Sequence, residues 1–152
     1  MLTHRVALVG ATGVVGSRVV PRLCERADVA SVIALGRRVP SFAHAKLDAR
    51  VAALQDPDAL QRELRDGVDL AVCCLGTTMK QAGSKEAFRA VDYDAVLAFG
   101  RAARACGAVR FVLVSSVGAD ARSGNFYLKT KGEAEDALAT LGYAQLDRKS
   151  TR

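Results

Sequence analysis

The run Val6-Ala7-Leu8-Val9-Gly10-Ala11-Thr12-Gly13-Val14-Val15-Gly16 constrains this chain more than any other, because an apolar stretch passes without a gap into three glycines at every third position. The apolar stretch reads as a buried strand, and the glycine that follows reads as its turn. Gly10, Gly13 and Gly16 allow backbone angles closed to other residues and leave no side chain between the turn and an approaching group. A helix starting near Gly13 would direct free backbone N–H groups, and the positive end of its dipole, at the same place. Such a strand, turn and helix suit an anion, a phosphate above all.

The alternation continues along the chain. Arg5 to Val9 is the expected first strand and Gly13 to about Ala27 the helix after it, with Val15, Val19 and Leu23 facing inward and Pro21 expected to kink it. Ala30 to Leu35 gives a second strand that closes at Gly36-Arg37-Arg38. A third strand is faint, around Ala45 to Leu47 or Arg50 to Ala53. A short helix over Asp58 to Arg65 and a strong strand over Val68 to Leu75 follow. Ser84 caps a long helix running to about Cys106, Val109 to Val114 form a strand, and Asn125 caps a helix ending at Leu141-Gly142. Strands alternating with helices define an α/β fold with a doubly wound parallel sheet, of expected order 3-2-1-4-5, in a single domain over residues 1–152.

Composition narrows the function. With 152 residues, half of them hydrophobic, the chain can bury a core that needs no disulfide. Cys24, Cys73, Cys74 and Cys106 show no C-x-x-C spacing, and His4 and His44 stand apart from any cysteine or carboxylate cluster, so the expectation is a reduced, cytoplasmic chain without metal. The net charge of +6 comes from scattered residues, which suits anionic ligands better than nucleic acid. No apolar run approaches the ~18 residues of a membrane helix.

In such sheets ligands bind outside the carboxyl ends of the strands, where strand order reverses. The glycine loop, Gly36-Arg37-Arg38, Leu75-Gly76-Thr77 and Ser115-Ser116 all fall on that edge. An acid after the second strand would bind the ribose 2′-hydroxyl of NAD, but Arg37 and Arg38 stand there, as a 2′-phosphate requires, so the expected cofactor is NADP(H). Tyr127 and Lys131, four residues apart, project from one helix face. A phenol works as an acid–base group at neutral pH only when something such as a nearby ammonium stabilises its ionised form. Ser116 or Ser115 is placed to hydrogen-bond the oxygen of a substrate that Tyr127 protonates.

Assembled in this order, the motifs resemble the short-chain dehydrogenase/reductase superfamily, with its Rossmann-type fold, in the atypical, extended-type form with G-x-x-G-x-x-G. Cys73-Cys74-Leu75-Gly76-Thr77-Thr78 with Lys80-Gln81-Ala82-Gly83, Val114-Ser115-Ser116 with Gly118-Ala119-Asp120, and Asn125-Phe126-Tyr127 with Lys131-Gly132-Glu133 are similar to the Tat-interacting oxidoreductase branch and its bacterial relatives. The similarity runs from about Arg5 to Leu146. It implies NADP(H) binding with Thr12, Gly13, Val14 and Val15 on the phosphates, Arg37 and Arg38 on the 2′-phosphate, and Leu75 and Gly76 along the cofactor. It also implies Tyr127 as proton donor or acceptor, Lys131 on the nicotinamide ribose, and a carbonyl or alcohol as substrate.

The chain departs from that pattern at three places. Val117 stands where extended members often carry a catalytic serine or threonine, and Asp92 where they often carry asparagine. Members continue through a further strand, typically to an Arg-Pro pair, into a substrate-binding portion. Here the strand starts at Tyr143-Ala144-Gln145-Leu146 and gives way to polar residues, so 147–152 are expected to form a disordered or aberrant tail on a truncated sheet. Two functions fit these residues: an oxidoreductase, or a non-catalytic NADPH-binding sensor or protein-interaction module.

Overall fold

The computed structural model describes residues 2–151. The apolar runs form strands β1 (His4–Val9), β2 (Val29–Gly36), β3 (Leu47–Val51), β4 (Leu70–Cys73), β5 (Arg110–Ser116) and β6 (Gln145–Thr151). All pair in parallel in one sheet of order β3-β2-β1-β4-β5-β6, which extends the expected 3-2-1-4-5 by one strand. Between them lie helices α1 (Gly16–Glu25), α2 (Pro57–Glu63), α3 (Met79–Ala82), α4 (Lys85–Arg89), α5 (Val96–Ala105) and α6 (Phe126–Ala139).

β1 is the centre because its residues are apolar on both faces, and Val6 through Val9 are wholly buried. Successive strand residues point to opposite sides. Val6 and Leu8 accordingly pack with Val32, Val72 and the α1 residues Val20 and Cys24. Ala7 and Val9 pack on the other side with Leu60, Leu64, Phe99, Phe111 and Leu138. The order reverses at β1, which lies between β2 and β4, so a groove opens at the carboxyl ends of those strands.

Local chemistry sets the boundaries. The first helix starts at Gly16 rather than Gly13, because residues 13–15 are used in the turn, where the Gly13 N–H donates to the Gly10 carbonyl at 3.2 Å. Pro21 lies inside α1. β3 covers Leu47–Val51, across both sequence candidates. Asp56 caps α2 by accepting the N–H groups of Asp58 and Ala59, and Thr78 caps the unforeseen α3 by accepting that of Gln81. Ser84 caps α4 as expected, accepting the Ala87 N–H, but the long helix is broken by a π-helical segment, Ala90–Ala95, before α5 begins.

The end of the chain requires a correction. Residues 147–151 are not a disordered tail: β6 pairs in register with β5 from Arg110–Gln145 to Ser116–Thr151. Among the described residues β6 is the outermost strand, paired along one edge to β5, and an outermost strand accommodates polar side chains. Leu146 and Tyr143 supply the apolar contacts, and the Tyr143 hydroxyl donates to the Gly100 carbonyl at 2.6 Å. Arg152 lies outside the described residues.

Candidate functional site

The glycine loop owes its shape to two of its three glycines. Gly10 has φ +88°, and a Cβ there would stand 2.5 Å from the Cys74 carbonyl carbon and 2.7 Å from the Leu75 nitrogen. A Cβ on Gly16 would stand 1.8 Å from the Gly10 oxygen. These two positions therefore press the loop against the end of β4 and α1 against the loop. Gly13 differs, since its Cβ would meet nothing nearer than the Gly10 oxygen at 3.6 Å. Its bare surface faces the groove, which is the arrangement a phosphate needs for close approach.

The groove has two lobes. The first, about 460 Å³, is lined by Gly10, Thr12, Gly13, Arg37 and Arg38 together with Leu75 and Gly76. Both arginines are exposed, and neither takes part in an ion pair among the described residues. The second lobe, about 280 Å³, shares Gly13, Leu75 and Gly76 and adds Val14, Val15, Ser115, Ser116, Tyr127 and Lys131. Every site residue expected from the sequence lines one lobe or the other except Gly16, which is buried and packs the loop from behind.

At the second lobe, β5 ends with Ser116 and α6 begins beside it. Asn125 caps α6 by accepting the Leu128 N–H at 3.1 Å, which fixes the turn that carries Tyr127. The Tyr127 hydroxyl lies 2.8 Å from Ser116 Oγ, a hydrogen bond that either oxygen can donate. The Tyr127 ring rests on Phe88, with centroids 5.2 Å apart. Lys131 Nζ lies 5.5 Å from the centroid of the Tyr127 ring, one helical turn on. Ser115, the neighbouring candidate, is 3% exposed and set deeper than Ser116.

Sequence reasoning treated Asp92 only as a departure from a family pattern, yet it lies at the base of this site. Its carboxylate is 1% exposed, forms an ion pair through Oδ1 with Lys131 Nζ, and accepts the Thr77 N–H on Oδ2 at 3.1 Å. Burial pushes the carboxyl above the usual carboxylate range, while the Lys131 charge and the hydrogen bonds from Lys131 and Thr77 pull it back part of the way. The signal available in the sequence was an acid between the apolar helix positions Phe88, Val91, Val96 and Phe99.

Burial raises the Cys73 thiol to about 12 and the Cys74 thiol to about 11, so both stay protonated at neutral pH. Among the described residues no cluster of His, Cys, Asp and Glu could hold a metal, and no helix is long and apolar enough to cross a membrane.

Similar proteins agree with this architecture. Protein FMP52, mitochondrial, of Candida albicans is 36% identical over 141 residues, which are 90% of this chain and 61% of the relative. The protein of the same name from Meyerozyma guilliermondii is 37% identical over 142 residues, 91% of this chain and 60% of the relative. The chain thus spans about 60% of the length of these curated relatives. Their names overturn the expected cytoplasmic location, since these fungal relatives are mitochondrial. The fold is shared with the Bordetella bronchiseptica enzyme WbmH in complex with NAD+, at TM-score 0.79 and 18% identity over 98% of this chain and 56% of that one. Residues 10–147, from the first glycine of the loop to β6, match the NAD(P)H-binding family, and with a groove of this shape at its sheet edge the chain belongs to that family and binds a nicotinamide dinucleotide.

Proposed function

We propose that this chain is the cofactor-binding and acid–base part of an NADPH-dependent oxidoreductase of the extended short-chain dehydrogenase/reductase type, in the Tat-interacting branch, acting on a carbonyl or alcohol. The observation that carries this reading is the 2.8 Å hydroxyl pair of Ser116 and Tyr127 beside Lys131, in the same groove as two unpaired arginines. The residues present fit the cofactor. Gly13 leaves a bare surface for the phosphates, and the two lobes suit its two nucleotide halves. Arg38 also lines an adjoining cavity of about 380 Å³ with Thr12 and Ser17, so it has room to turn toward a 2′-phosphate from either side.

When bound, the nicotinamide supplies or accepts the hydride. The chain's own residues manage the proton and the positions. Tyr127 holds a proton at its hydroxyl, ready for the oxygen of a carbonyl in the second lobe, and Ser116 Oγ orients that hydroxyl and can hydrogen-bond the same oxygen. Lys131 presents its ammonium toward the ribose and adds positive charge near the phenol. Arg37 and Arg38 favour a phosphate over a hydroxyl at the far end.

The test is a thermal-stability titration with NADPH and NADH, followed by turnover of a carbonyl panel. At one hundred times its dissociation constant, a ligand that binds only the folded chain adds about 2.7 kcal/mol. NADPH is expected to stabilise more than NADH at equal concentration, and the Arg37→Ala, Arg38→Ala double variant is expected to remove that preference. Tyr127→Phe is expected to lower turnover by about 10²–10⁴-fold while NADPH still binds. Stabilisation by neither nucleotide would overturn the reading. Binding without turnover would leave a non-catalytic NADPH-binding module in its place.

A further inference from the structure

We infer that the carbonyl compound handled in the second lobe is uncharged and carries an apolar substituent, for which Val14 and Val117 supply the contact surface beside the Ser116–Tyr127 pair. This rests on the oxidoreductase reading above and deepens it by naming the substrate class.

The two lobes differ in the charge they offer. Arg37 and Arg38 line the first, and neither is paired among the described residues. The cation that lines the second is Lys131, which is buried and already ion-paired with the buried Asp92. The cations on the elements around this lobe are engaged as well. Arg89 of α4 pairs with Glu133 at 2.6 Å, Lys129 of α6 reaches the same carboxylate at 4.0 Å, and Arg122 pairs with Asp120 at 3.5 Å. Lys85 lies over the Phe126 ring, 5.2 Å from its centroid, and Lys80 of α3 lines neither lobe. A carboxylate or phosphate on the substrate would therefore give up water without gaining a free cation in return, which is costly.

The apolar part of the lobe is continuous. Val14, Val15, Leu75 and Val114 all line it, and its other polar groups are hydroxyls and the Gln81 amide. Val14 is 80% exposed, and Val117, directly after Ser116, is 60% exposed. A single exposed valine is ordinary on a protein surface. Here two of them come from separate elements, the glycine loop and the end of β5, and stand next to the same reacting hydroxyls. Covering them with an apolar substituent removes both from water. The chemistry needs no charge on that substituent. The carbonyl carbon takes the hydride that the reduced nicotinamide gives up, its oxygen takes the Tyr127 proton, and the alcohol and oxidised cofactor leave while water reprotonates the phenol. Oxidation of the alcohol runs the same bonds backward.

The experiment titrates the NADPH-loaded chain calorimetrically with 4-methylpentanamide and with succinamate. These stable amides have the same length and differ in carrying an isopropyl group or a carboxylate at the far end. The matching aldehydes, 4-methylpentanal and succinic semialdehyde, are then compared as substrates. The neutral amide is expected to bind at least about tenfold more tightly, and the neutral aldehyde to show the larger kcat/KM by a similar factor. Val117→Lys is expected to reduce that preference at least about tenfold while NADPH affinity stays within about twofold. Equal binding of the two amides, tighter binding of succinamate, binding of neither, or a preference that Val117→Lys leaves unmoved would overturn the inference. Amide preference without turnover of either aldehyde would support the ligand class and overturn the catalytic reading beneath it. Failure to bind NADPH would overturn both.

Discussion

Gly10, Gly13 and Gly16 stand at equal spacing and do different work. Gly10→Ala meets both a left-handed backbone and the end of β4, and Gly16→Ala meets the Gly10 carbonyl, so each is expected to lower unfolding free energy by more than about 2 kcal/mol. Gly13→Ala has space for its methyl, and is expected to keep its urea midpoint while losing affinity for the nucleotide whose approach the methyl obstructs. The spacing of these residues was legible in the sequence, but the division of labour among them was not, because it depends on how closely β4 approaches. Asp92 illustrates the same limit, since its partners come from positions 15 residues before and 39 residues after it. Its titration makes a second prediction. The folded chain keeps this proton at pH values where the unfolded chain has lost it, so Asp92's contribution to stability falls as pH rises through that interval. Urea denaturation of wild type and Asp92→Asn across pH is expected to move the difference in favour of the variant as pH rises from about 4 toward neutrality. Movement the other way would mean that Lys131 outweighs burial.

At the scale of elements, the strands and caps were the most readable features. Continuous apolar runs with a glycine or hydroxyl stop gave β1, β2, β4 and β5, and Ser84 and Asn125 cap the helices they were expected to cap. Asn125→Ala is expected to cost about 1 kcal/mol, with Asn125→Asp close to wild type in the same melt. Because that cap also sets the turn that presents Tyr127, the alanine variant is expected to lose turnover beyond what its stability explains. The π-helical segment was not legible, since Ala90–Ala95 read as ordinary helix. β3 was faint for a different reason. It is an edge strand with no fully buried residue, so its side chains carry little of the apolar pattern that marks the inner strands.

For the whole molecule, the order of the sheet followed from alternation and handedness, and the groove from the point where that order reverses. β6 is not legible past Leu146 because a buried strand is expected there, whereas β6, outermost among the described strands, carries Asp147, Arg148 and Lys149. Location was misjudged because thiol state reports a redox condition rather than a compartment. The contact between Gly10 and the backbone of Cys74 and Leu75 also bears on how the molecule moves. It presses the phosphate loop against the backbone that floors both lobes. On the far side of the groove Ser116 and Tyr127 share a hydrogen bond, the Tyr127 ring rests on Phe88, and Asp92 ties Lys131 of α6 to the Thr77 backbone. The dinucleotide would therefore enter a cleft whose phosphate end and whose acid–base wall are both braced against the loop that follows β4.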